Sequence, residues 1–231
     1  AIVISYDVRP SFYWAVTGAI YLDASYFWLT PDERDTINQA PDFRAAFGSE
    51  LNFDMPWRYV KDNDYPNKYS DINKREERLS SDAVFSLISL MYHELAHAND
   101  FFPSTQWGNY SMSDRILDAV DKQFRSSGFE SDKLSNAMPL LSQEMKDLAQ
   151  VRFHTGNPPN DIQKSYTPSD ITQFFSNDQA PQFYNYSSIR ENYAMLFDGF
   201  MMKARYGIDR DVAITNQRDA NGFTVDWGQR G

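Results

Sequence analysis

The strongest constraint in this chain is a helix with more apolar surface than a surface helix can use. From Ser81 to Phe102, Val84, Phe85, Leu87, Ile88, Leu90, Met91, Leu95 and Phe102 spread around most of a helical circumference, which predicts a buried helix. Inside it stand His93, Glu94 and His97. Three titratable groups in a buried stretch are costly unless partners or a ligand satisfy them. Residues four apart lie about 40° apart on one helix face, so both imidazoles can reach one ion at about 2.0 Å each. Glu94 projects about 100° round from His93, badly placed as a ligand and well placed to reach a water held there. The competing reading is two packed histidines with a partner glutamate. Asp100 shares the histidine face and is expected to steady an imidazole N–H. His154, in VRFHTGNPP, stands where a helix ends before Gly156 and suits the helix dipole, with a ligand role as the alternative.

Composition narrows the function classes. The 231 residues are enough for one large domain, and 42% hydrophobic content is ordinary for a globular chain. A net charge of −10 argues against nucleic acid and anionic lipid, which need a basic surface. No apolar run approaches the length of a membrane span. Cysteine is absent, which excludes disulfides and thiolate metal sites. The N-terminus, AIVISYDVRP, has neither an initiator Met nor a signal-peptide pattern, and a processed, exported chain (periplasmic or secreted) is the expectation.

Local patterns supply the remaining elements. AIVISYDV reads as a strand, and Gly18–Thr30 as a strand and turn. Thr30, Pro31 and Glu33 form a helix start with a capping box; Pro41 is expected to end that helix, with PDFRAAFG as a short second one. The polar stretch 52–80 reads as a long surface loop. Further helices are expected at Ser113–Ser126, Leu141–Phe153, Pro168–Phe175 and Ser187–Gly207. The tail has β-formers on both sides of Asn221-Gly222 and predicts a hairpin or a loose arm. The fold class is α+β, predominantly helical, with the strands concentrated in a small N-terminal sheet.

HELAHAND and RENYAMLF together resemble the gluzincin group of zinc metallopeptidases, in the anthrax lethal factor-like branch. There His-Glu-x-x-His-x-x-Asp is followed by Glu-x-aromatic-Ala-x-x-Phe, matched here by Glu191, Tyr193, Ala194 and Phe197. The resemblance implies a zincin-like catalytic domain over 1–231, with zinc held by His93, His97 and Glu191 and with Glu94 as general base. It implies Asp100 behind the ligands, Tyr184 or Tyr186 at the oxyanion, and a peptide substrate added as a strand along a sheet edge, for which Ala19–Trp28 is the candidate. The separation 191 − 97 = 94 is longer than in familiar members, so 103–186 would be an inserted helical subdomain. Ser188 reads as an N-cap, so Glu191 could instead close a capping box, leaving Asp100 or His154 as the third ligand. The alternative to a peptidase is a non-enzymatic binding or surface protein that keeps a structural zinc.

Overall fold

Three short strands open the chain: β1 (Ile2–Ser5), β2 (Phe12–Trp14) and β3 (Ala19–Asp23). They form a sheet in the order β1-β3-β2, with β1 parallel and β2 antiparallel to β3. Side chains alternate across a strand. Ile20 and Leu22 are buried, whereas Tyr21 stacks on Phe12 with ring centroids 4.9 Å apart. β3 is therefore the middle strand, paired on both sides, and Ala19–Trp28 is not the edge expected for substrate. The edge beside the long helix is β2.

The computed structural model describes residues 1–67, 74–178 and 180–231, and over these the fold is α+β and predominantly helical, with far more helix than strand. Helix α1 (Pro31–Asp35) starts as its capping box predicts: Thr30 Oγ1 accepts from Glu33 N, and the Glu33 carboxylate accepts from Thr30 N. It ends at Thr36, before Pro41, and 43–50 is a run of turns rather than a second helix. Asp42 Oδ1 accepts from Arg44 N, a local bond that competes with helix, and Gly48 adopts φ +68°.

The expected loop at 52–80 contains β4 (Phe53–Asp54) and β5 (Trp57–Val60), while 68–73 lies outside the described residues. Both pair antiparallel with β6 (Asp209–Asn216), whose other side takes β7 (Val225–Arg230). The tail is thus a hairpin, and strands are not confined to the N-terminus. Two-residue and four-residue strands amid Asp, Asn and Pro carry too little alternation to stand out; Phe53 and Val60 are buried because β6 lies beside them.

Helices α2 (Ser80–Phe101), α3 (Ile116–Ser127), α4 (Glu130–Ala137), α5 (Gln143–Phe153), α6 (Asp161–Ser165), α7 (Pro168–Phe175) and α8 (Ile189–Tyr206) complete the fold. The short polar segments of α4 and α6 went unpredicted. The main apolar core joins α5 and α7 to the second sheet: Met145, Leu148, Ile171, Phe175 and Ile214 have no exposed surface. Burying each such side chain is worth about 1.5–3 kcal/mol. Part of the 103–186 stretch therefore shares its core with β4 and β6. Helix α2 is less buried than its composition suggests, since Val84 and Leu95 are 37% and 44% exposed. Among the described residues no helix is long and apolar enough to cross a membrane.

Candidate metal centre

Helices α2 and α8 pack antiparallel, because Phe85 meets Tyr206, Tyr92 meets Phe197 and Asp100 meets Arg190. On α2, Ser89, His93, Ala96 and Asp100 recur at steps of four, three and four, a single stripe. On α8 the matching stripe is Glu191, Ala194, Asp198 and Met202. Ala96 and Ala194 are fully buried, and their small side chains permit close approach of the helices.

His93, His97 and Glu191 converge near the end of this contact where α8 begins, and form a group able to hold a metal ion. Glu191 Oε2 lies 3.0 Å from His93 Nε2 and 3.4 Å from His97 Nε2, and the two Nε2 atoms are 3.2 Å apart. A tetrahedral ion with bonds of about 2.0–2.1 Å separates its ligand atoms by about 3.3 Å, so the triangle has the required size. A second observation favours an ion over a hydrogen-bonded cluster. Glu191 Oε2 is buried and has no hydrogen-bond partner, despite its nearness to both nitrogens. An orphaned buried carboxylate oxygen is expensive unless something cationic meets it.

The helix start positions Glu191. Ser188 caps α8, accepting from Glu191 N at 3.1 Å, and the reciprocal bond of a capping box is not made. The carboxylate is therefore free of the backbone and points into the helix pair, at the positive end of α8. Burial pushes its pKa up, but the two imidazoles outweigh that and hold it far below the usual carboxylate range. Burial lowers His93, and Glu191 more than offsets it, so His93 ends above its ordinary value.

Glu94 points from α2 towards the first sheet, is 2% exposed, and leaves Oε2 without a partner. Burial raises its pKa, and His93, His97 and the Tyr13 backbone N–H pull it back. Tyr184 stacks on His93 at 6.2 Å. Burial and the Glu191 charge push its phenol far above the ordinary value, so it remains a proton donor. The structure separates the two candidate tyrosines. Tyr186 is 3% exposed, donates to Asp178 Oδ2 at 2.9 Å, and packs on Phe175 in the core, away from the metal ligands.

Asp100 also departs from expectation. It accepts from Ser131 N at 2.8 Å and from Arg190 Nη1 at 2.7 Å, so its hydrogen bonds go to α4 and α8 rather than to an imidazole. It still serves the site, because Arg190 immediately precedes Glu191. His154 is the C-cap of α5, with Nε2 3.3 Å from Ser187 O, and is not among the ligands.

A second polar group, missed from sequence, braces the other side of the centre. Ser89 Oγ donates to Asp198 Oδ1 at 2.7 Å, Arg210 Nη2 donates to Asp198 Oδ2 at 2.5 Å, and the Tyr59 hydroxyl donates to Ser89 Oγ. Arg210 lies over the rings of Trp57 and Tyr59, 5.0 and 5.4 Å from their centroids. One sequence signal could have found it: Asp198 is a lone carboxylate in the apolar run Met195–Met202. In comparisons with protein-family models, curated proteins and solved structures, the chain matches none.

Proposed function

We propose that this protein is a zinc-dependent peptidase whose metal is held by His93, His97 and Glu191. The observation that carries the reading is the buried, unpartnered Glu191 Oε2 within 3.4 Å of both imidazole nitrogens. Two imidazoles and one carboxylate are the donor set of catalytic zinc sites that keep a position open. Zinc, when bound, lowers the pKa of its water to about 7 and polarises a carbonyl. Glu94 removes a proton from the attacking water and later delivers it to the leaving amine as the C–N bond breaks. Burial raises the Glu94 pKa, which makes its carboxylate a stronger base. Tyr184, held neutral, donates its hydroxyl to the carbonyl oxygen as negative charge grows there. A peptide substrate would lie as an added strand along β2, the sheet edge beside α2.

A closed structural zinc site needs a fourth protein ligand. Asp100 is committed to Arg190 and Ser131, and His154 approaches Ser187 O, which supports the open site. The test has two parts. Protein purified without chelator should carry one zinc per chain, and Glu94→Gln should keep that zinc while losing about 10²–10⁴ in rate on a peptide library. No metal above trace in folded protein overturns the centre, and an unchanged rate removes Glu94 from the mechanism.

A further inference from the structure

The hydrolysis proposed above leaves one neighbouring cation without a task. Arg44 stands in the run of turns at 43–50, and Asp42 holds it along one edge. Asp42 Oδ1 accepts from Arg44 Nε at 3.0 Å, and Oδ2 accepts from Nη2 at 2.6 Å. The other edge is free: Nη1 makes no hydrogen bond among the described residues, and the side chain is 36% exposed. The turn is joined to the site through α5: Arg152 donates to Phe47 O, its neighbour Phe153 packs on Tyr184 with ring centroids 4.9 Å apart, and Tyr184 stacks on His93. The turn that carries Arg44 thus lies on the Tyr184 side of the ligand trio, and the Arg44 charge is felt at the Tyr184 hydroxyl.

The support under Arg44 is fixed. Arg152 on α5 donates from Nη1 to Phe47 O at 3.1 Å. Gly48 adopts φ +68°, and a Cβ there would fall 2.9 Å from Arg152 Cδ, so a larger residue would strain the turn and displace the arginine that holds it. A guanidinium gripped on one edge by a carboxylate presents its remaining donors in a set direction, the arrangement used to hold a second carboxylate. The net charge of −10 repels acidic ligands at long range, so a preference for one must come from direct contact.

We propose that Arg44 is a specificity residue that binds a substrate carboxylate close to the scissile bond, so that the site selects acidic peptides. The carboxylate is either an acidic side chain or a free C-terminus. This rests on the peptidase reading of the same site.

The test uses the zinc-loaded Glu94→Gln protein, which should bind peptides without cleaving them. Three hexapeptide pools are titrated by calorimetry: neutral with an amidated C-terminus, neutral with a free C-terminus, and carrying an internal Asp or Glu with an amidated C-terminus. One carboxylate pool should bind about 10- to 100-fold tighter than the neutral amide, the range of a charged hydrogen-bonded pair. Which of the two pools gains distinguishes the sources. Adding Arg44→Gln should collapse that ratio towards one, and Arg44→Lys should keep part of it, with zinc content and circular dichroism unaltered in both. Equal binding of the three pools, or a ratio that survives Arg44→Gln, overturns the proposal. Failure of the peptidase reading shows separately, as absent zinc or as wild-type protein that cleaves no peptide.

Discussion

Two buried regions of this molecule are built on opposite plans. Under α5 and α7 the interior is mainly apolar: Met145, Leu148, Ile171 and Phe175 fill it, and its one buried carboxylate, Asp178, is met by Tyr186 and by the backbone N–H groups of Leu141 and Ser142. Between α2 and α8 the interior holds His93, His97, Glu191, Asp100, Asp198 and, from β6, Arg210. The first region follows from area: removing apolar surface from water stabilises it whatever the detailed pairing. The second has to satisfy each charge individually, since an unpaired buried ion costs several kcal/mol. Two ion pairs flank the ligand trio, Arg210 meeting Asp198 through Nη2 while its Nε and Nη1 make no hydrogen bond and the guanidinium lies over Trp57 and Tyr59; the trio retains the unpartnered Glu191 oxygen. The apolar core and the candidate metal centre are therefore different neighbourhoods of one fold.

Substitutions can break that division. The largest effect is expected for Glu191→Ala, which should lose zinc as badly as His97→Ala, beyond the roughly 10- to 100-fold typical of groups behind the ligands. Competition with a chromophoric chelator measures it, and wild-type affinity in Glu191→Ala would dismantle the centre. Next come Phe175→Ala and Asp198→Ala, each about 3–5 kcal/mol less stable by urea unfolding, the first through a cavity and the second through a stranded Arg210. Only Asp198→Ala should also weaken zinc binding; equal affinity in the two variants would show that the regions are not divided as described.

Arg190→Gln is a finer probe. It removes the charge that ties Asp100 and Ser131 to the residue beside Glu191. Zinc affinity should fall by about 10- to 100-fold, with little change in the Tyr186 environment seen by near-UV dichroism. The smallest effect concerns acid. Arg44, chiefly by hydrogen bonding, lowers the Asp42 pKa from 3.8 to about 2. A carboxylate lowered on folding contributes stability above its unfolded value and loses it as pH falls through the folded one. Wild type should thus exceed Arg44→Gln by no more than about 1 kcal/mol at pH 5, given the exposure of the pair. The gap should close between pH 4 and 2. A gap that widens in acid would contradict the assigned pair.

What the sequence disclosed follows the range of the interactions. The α2 helix was legible to within one residue at each end, and so was the capping box at Thr30, because those signals act across three or four residues. His93 and His97 share one face of a helical turn, so their place in a group able to hold a metal ion was readable too. Glu191 was reached through a second motif, with its capping-box alternative left open until the fold oriented the side chain. Tyr186 and Asp100 were misplaced because the same residue types suit either role, and only distant partners decide: Asp178 for one, Arg190 and Ser131 for the other. Strands β4 and β5 depend on a partner strand some 150 residues later, which no local pattern records.

That distant pairing governs the order in which the molecule can be made. Trp57–Val60 waits for Asp209–Val212, and the histidines wait for Glu191 and for Arg210 behind it. On a ribosome adding about 5–20 residues per second, α2 would be exposed for several seconds before its partner helix is synthesised. During that interval its apolar face and paired imidazoles are a hazard, open to aggregation and to stray ions. The three residues able to hold a metal ion come together only once α8 has been made.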